Sequence, residues 1–168
     1  SPAGCFELGA GVNLNDWISG NYLKRRLGLG AARRDDVRRI ADWDFAHVRI
    51  PVNEIHLYDH RERPRAAAFD RLQRVIDWSI DACLNVLLDL HEFAGHNPRH
   101  PRPIDLVNTP ALLARVIHIW RDLARQVGHH SNERLAYDFL GETRAPSLED
   151  WDRVTSAIIA DIRGREPK

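Results

Sequence analysis

The chain has 168 residues, 43% of them hydrophobic and 29% charged, a composition that supports one globular domain with its own core and excludes a disordered tail or a multidomain assembly. Twenty-four Lys and Arg balance 24 Asp and Glu, so the long-range positive field that draws proteins onto nucleic acid or anionic membranes is missing. No apolar run approaches the roughly 20 residues of a membrane-crossing helix, and no basic stretch followed by an apolar one opens the chain. Neither nucleic acid nor membrane is therefore expected as a partner. The chain opens at Ser1 and contains no Met, so its N-terminus is expected to arise from processing, an engineered boundary or truncation. Cys5 and Cys83 allow at most one disulfide and identify no redox compartment; two unconnected buried thiols are the commoner outcome.

In chain order, short apolar runs alternate with longer amphipathic ones. Strands are predicted at about Gly9–Leu14, Phe45–Val52, Asn85–His91 and Leu135–Glu142. A first helix follows over Ala31–Trp43, where Val37, Ile40 and Ala41 recur at helical spacing. The Arg25-Arg26 pair before it and the Arg33-Arg34 and Arg38-Arg39 pairs within it invite a phosphate-binding reading, but the interleaved Asp35, Asp36, Asp42 and Asp44 favour a solvated, ion-paired face. Phe69, Leu72, Val75, Ile76, Ile80 and Cys83 form the stripe of the next helix. Thr109-Pro110 opens another, with Leu113, Val116, Ile117, Trp120, Leu123 and Val127 as its buried face. Ser147-Leu148-Glu149-Asp150 is a capping signal for the last, which carries Trp151, Val154, Ile158, Ile159 and Ile162.

Such strict alternation predicts parallel strands covered by helices, either an open doubly wound sheet or a barrel. No GxGxxG or Walker-type loop supports a nucleotide, and Gly9, Gly11, Gly28 and Gly30 are too scattered to make one. Long insertions at His56–Ala68 and Glu92–Asn108 follow the second and third strands, at the strand ends where parallel α/β folds bind their ligands.

Side chains alternate faces along a strand, so parity separates a helix-facing set from an interior set. Val48, Ile50 and Val52 leave His47 and Arg49 on the other face; Val86, Leu88 and Leu90 leave Leu87, Asp89 and His91. Asp138 and Glu142 share a parity in the fourth strand, and Gly9, Gly11 and Asn13 in the first. Charge on an interior face is costly unless paired. Two readings stay open: an internal ion-pair network, such as Arg49 with Asp89 or Glu142, or a catalytic mouth at the strand ends. A zinc site is not expected, because His91 and His96 are five residues apart rather than four and leave a strand; His100, His129 and His130 read as loop histidines.

Gly11-Val12-Asn13-Leu14, Phe45 to Val52 with its VRIPV core, Leu88-Asp89-Leu90-His91 and Tyr137 to Glu142 resemble, in order and spacing, the first four strands of glycoside hydrolase family 5, the cellulase and endoglucanase family. The resemblance covers about Gly9 to Arg163 and implies a parallel α/β fold, the (β/α)4 half of a TIM (β/α)8 barrel, with residues 1–168 one partial domain. It implies that Glu142 is the general acid/base of a retaining glycosidase, that Arg49 contacts the nucleophile and that His91 lines the subsite of the scissile bond. Asn13, from its parity in the first strand, and Trp17, just past that strand's end and placed as a stacking platform, are expected to complete the substrate-binding set. No metal or other cofactor is implied. The resemblance further implies an uncharged β-glucan or related polysaccharide as partner and an extracellular location.

Two departures stand out. The family has Asn before its acid/base and usually Pro after it, whereas this chain reads Gly141-Glu142-Thr143, and glycine has no amide to bind the sugar 2-hydroxyl. The family's nucleophile sits on strand seven; four units in 168 residues is about 42 each, so eight would need about 340. The expectation is an acid/base half that is inactive alone. The alternatives are a non-catalytic carbohydrate-binding relic and a half-barrel that self-associates through its open sheet. Trp43, Trp78, Trp120 and Trp151 are read as packing residues of the helices.

Overall fold

A computed structural model describes residues 6–15, 17–19, 33–93, 106, 108–141 and 145–164. Cys5, Gly28, Gly30, His96, His100, Glu142 and Thr143 lie outside them, as does the Arg25-Arg26 pair. The elements are β1 (Gly11–Asn13), α1 (Arg34–Asp42), β2 (His47–Asn53), α2 (Glu54–Leu57), α3 (Ala66–Asp81), β3 (Asn85–Glu92), α4 (Pro110–Val127), β4 (Leu135–Asp138) and α5 (Leu148–Arg163). The four strands form one sheet in the order β1-β2-β3-β4, every pair parallel.

The sheet is parallel because each crossover contains a helix long enough to return the chain to the same edge. Val48, Ile50 and Val52 of β2 and Val86, Leu88 and Leu90 of β3 are fully buried beneath the helices. Against them α3 places Phe69, Leu72, Val75 and Ile76, and α5 places Val154, Ile158 and Ile162. In α4 the buried stripe is Val116, Ile119, Trp120, Leu123, Ala124 and Val127; Ile119 replaces the expected Leu113 and Ile117, which are only half-buried. The periodicity is compatible with either stripe, and packing on Tyr137, Phe139 and α5 selects the one centred on Trp120.

The caps follow their local chemistry. Ser147 Oγ accepts from the Asp150 amide at 3.1 Å, as the capping signal implied. Thr109 precedes Pro110 at the start of α4, but makes no side-chain cap bond. The α3 stripe stops short of Cys83: the helix ends at Asp81, and Cys83 leaves it at φ 63° with its thiol exposed and outside any disulfide, so the expectation of a buried thiol fails there. Trp43 also departs from expectation. It caps α1 from outside and is 64% exposed, because α1 buries only Val37 and Ile40. Trp120 is fully buried, while Trp78 and Trp151 pack at the edge of the core. The charged face of α1 is ion-paired as read, with Arg34 reaching Asp81 at 3.0 Å and Arg38 near Asp35 at 3.6 Å.

The insertion after β2 is not an open loop. It contains α2 and a bridge between Tyr58 and Pro64. Tyr58 is buried and donates to Asp122 at 2.8 Å, Arg115 lies 4.5 Å over its ring, and Arg115 Nε donates to Glu54 at 2.6 Å. These contacts fasten the insertion to α4. Burial and the Asp122 carboxylate both push the Tyr58 hydroxyl well above its ordinary value, so it remains a donor.

Candidate active site

Parallel pairing sets the interior face in layers. Asn13 is level with Arg49, and Arg49 with Leu87 and Ala136; one layer further toward the strand ends, Pro51, Asp89 and Asp138 are level. Arg49 is therefore the third residue of a seven-residue strand, not an end residue as expected. Its length lets the guanidinium reach the next layer. There Nη2 meets Asp89 Oδ2 at 2.8 Å, Nε and Nη2 donate to Asp138 Oδ2 at 3.2 and 3.1 Å, and Nη1 donates to Asn13 Oδ1 at 3.3 Å. One planar cation is thus fixed by groups from β1, β3 and β4. The ion-pair reading of the sequence is present, with Asp138 joining Asp89 as the partner.

Asp89 is completely buried, and its Oδ2 also lies 3.0 Å from His91 Nδ1. With a carboxylate facing it, Nδ1 is the nitrogen placed to donate. Burial raises the Asp89 carboxyl above its ordinary value, opposed by the hydrogen bond to His91 and the charge of Arg49. Its second oxygen, Oδ1, is buried without a hydrogen-bond partner among the described residues.

Facing that oxygen is Gly141. A Cβ built there would stand 2.5 Å from Asp89 Oδ1 and 3.0 Å from both Arg49 Nη2 and His91 Nδ1. The glycine that departs from the family pattern is thus the residue against which the whole charged cluster packs. Gly141→Ala is expected to destabilise the protein by about 1–3 kcal/mol, the usual range for overpacking. A denaturation midpoint identical to that of the parent would show that Asp89 yields freely and that the close approach has no energetic consequence. Two further contacts fix the chain leading to Gly141: its amide donates to the Leu90 carbonyl at 3.4 Å, and Trp120 Nε1 donates to the Phe139 carbonyl at 3.0 Å. Glu142, the next residue, lies outside the described residues.

The structure therefore brings Asn13, Arg49 and His91 together, with Asp89 and Asp138. Trp17 lies beyond β1, half-buried against the hydrophobic core. Sequence reasoning missed Asn53. This residue ends β2 at an irregularity in the β2–β3 register, is buried, and donates to Glu92 at 2.7 Å and to the Ser19 carbonyl at 3.0 Å. Its parity with His47 and Arg49 was the available signal, lost because the strand was ended one residue early. At the opposite end of the inner face, the His47 ring lies over Gly11, where any Cβ would overlap it.

A family model described as cellulase, glycosyl hydrolase family 5, matches residues 11–168. Cellodextrinase A of Ruminococcus flavefaciens is 26% identical over 161 residues, which cover 94% of this chain and 47% of that protein. Among solved structures, a trimodular subfamily 4 endoglucanase of the same family superposes with a TM-score of 0.76 at 21% identity, over 94% of this chain and 31% of that one. A broad-specificity endoglucanase from Clostridium longisporum superposes with a TM-score of 0.75 at 17% identity, over 95% of this chain and 51% of that one. This chain spans about half the length of the curated relative it matches. The fold is the one the sequence predicted, a parallel (β/α)4 half of the barrel those enzymes carry. With the family model matching from the first strand to the last residue, the chain belongs to glycosyl hydrolase family 5, the cellulase family.

Proposed function

We propose that this chain supplies the acid/base half of a secreted, retaining β-glucanase acting on β-1,4-linked glucan, with Glu142 as the general acid/base. One observation carries the reading: Arg49, held by Asn13, Asp89 and Asp138, and His91, held by Asp89, pack against Gly141, the residue immediately before Glu142. A structural ion-pair network has no need to gather at the residue preceding the family's acid/base.

The chemistry requires one carboxylic acid to protonate the leaving oxygen and a second carboxylate, about 5–5.5 Å away, to attack the sugar from the other face. In this reading the second carboxylate comes from the barrel units beyond these 168 residues. Arg49 places a fixed positive charge where that carboxylate must stay ionised, and its own partners hold it in place before substrate arrives. His91, oriented by its contact with Asp89, lines the subsite of the scissile bond. Asn13 and the exposed part of Trp17 serve the same sugar from β1, the latter by stacking. The 168 residues alone hold a proton donor without a nucleophile, and so are inactive. Structural relatives named as endo-β-1,4-glucanases support β-1,4-glucan as substrate, and a polymer of that kind is met outside the cell. Among the described residues no helix is long and apolar enough to cross a membrane.

The test is the anomeric course of hydrolysis. Proton NMR of cellopentaose with the full-length protein is expected to show the β-anomer first and the α-anomer only through later mutarotation. An α-anomer first would sink the retaining mechanism, and turnover by residues 1–168 alone would sink the division of labour between the two halves.

A further inference from the structure

Away from the strand ends that carry Arg49 and His91, the turn between α4 and β4 brings His129 and His130 against α3. Gln73 and Asp77, one helical turn apart, face them. Asp77 and the two imidazoles each offer a ligand atom, and these lie within 4.8 Å of one another. Gln73 Nε2 stands among them, 2.7 Å from Asp77 Oδ1, 2.9 Å from His130 Nε2 and 3.4 Å from His129 Nε2, while His130 Nε2 is 3.2 Å from Asp77 Oδ1.

Protons alone do not satisfy this arrangement. If His130 Nε2 is unprotonated, the Gln73 amide can donate to it and to Asp77, but the imidazole lone pair then faces a carboxylate oxygen. If His130 Nε2 carries the proton, it donates to Asp77 and meets a second donor in the Gln73 amide. Turning the amide over sets its oxygen against the Asp77 carboxylate. Each assignment with Asp77 ionised leaves one repulsive pair. A cation among Asp77, His129 and His130 removes the conflict, because each of these then offers it a lone pair.

The geometry points to a site for a divalent transition-metal ion of the zinc type, held by Asp77, His129 and His130, with Gln73 as a fourth donor through Oε1. Donor atoms on one tetrahedral zinc ion stand about 3.3 Å apart, given metal–ligand distances of about 2.0–2.2 Å. The 3.2 Å separation of His130 Nε2 and Asp77 Oδ1 already has that value. Among the described residues Gln73 Oε1 is buried without a hydrogen-bond partner, and a half-turn of the amide directs it to the ion. Two imidazoles select zinc, nickel or copper over magnesium and calcium. Bound there, the ion would tie α3 to the turn that leads into β4.

Zinc titration of the full-length, untagged, EDTA-treated protein tests this, read by calorimetry and by the thermal midpoint. Zinc is expected to bind and to raise the midpoint, magnesium to do neither. His130→Ala and Asp77→Asn are each expected to weaken zinc binding at least tenfold with hydrolysis in metal-free buffer unchanged. His129→Ala, at the exposed ligand, guards against a folding defect in the other two. No zinc binding by the parent protein, or binding of equal strength in all three variants, overturns the assignment.

Discussion

Glu142→Gln in the full-length protein is expected to lower kcat on cello-oligosaccharides by about 10²–10⁴-fold, the usual contribution of a positioned general acid or base. Glutamine keeps the shape of glutamate and cannot give up a proton, so the leaving sugar would depart as an unprotonated alkoxide. The loss should depend on the leaving group. An aryl cellobioside whose phenol is acidic needs no proton to leave, so its first step should proceed at nearly the parent rate. Its second step, in which water must be deprotonated, should stay slow, and the phenol should appear as a burst followed by a low steady state. Unchanged kcat on the oligosaccharide, or equal losses on both substrates with no burst, would remove Glu142 from the role. Gly141 adds a second aspect. The family's Asn at that position binds the sugar 2-hydroxyl, and here the space is taken by Asp89, Arg49 and His91. If Glu142 is the acid/base, part of the transition-state binding comes from other groups, and the residual activity of the glutamine variant measures how much the site retains without proton transfer.

Much of this site was legible because parallel strands covered by helices leave a two-residue period in which one class is apolar. Arg49, Asp89, His91 and Asp138 stood out as polar members of the other class, and all four lie together on the inner face. The partnership of Arg49 was less legible. A long side chain on the third residue of β2 reaches one layer above its own, and parity specifies a face without specifying a height. Asn53 was missed because its strand outlasts its last apolar residue. Trp43 was misread because hydrophobicity records the preference of a side chain for burial, whereas the short helix α1 has room beneath it only for Val37 and Ile40. His129 and His130 read as loop histidines, since nothing in sequence relates them to Gln73 and Asp77 more than 50 residues earlier.

Asp89 is where fold and site depend on one another most, and Asp89→Ala is expected to cost about 3–5 kcal/mol, the range for removing one partner of a buried ion pair. The alanine leaves Arg49 with Asp138 alone on its carboxylate side and releases His91 from its orienting bond. Asp89→Asn is the sharper probe, because it keeps an acceptor for Arg49 and removes only the titration. Two opposed effects act on the carboxylate. Bonds from Arg49 and His91 at 2.8 and 3.0 Å favour the ionised form, while complete burial and the nearby charge of Asp138 favour the neutral one. Burial is the larger, so the native value lies above the ordinary 3.8. A carboxyl that binds its proton more tightly in the native state stabilises the fold fully below 3.8, and loses that contribution as pH rises through the raised native value. Asparagine has no such term. The stability difference between parent and Asp89→Asn, measured by chemical denaturation at successive pH values, is therefore expected to be widest at the acid end and to narrow through that window. A difference that widens toward neutral pH would mean that Arg49 and His91 outweigh burial, and that Asp89 serves the site as a fully ionised counter-charge.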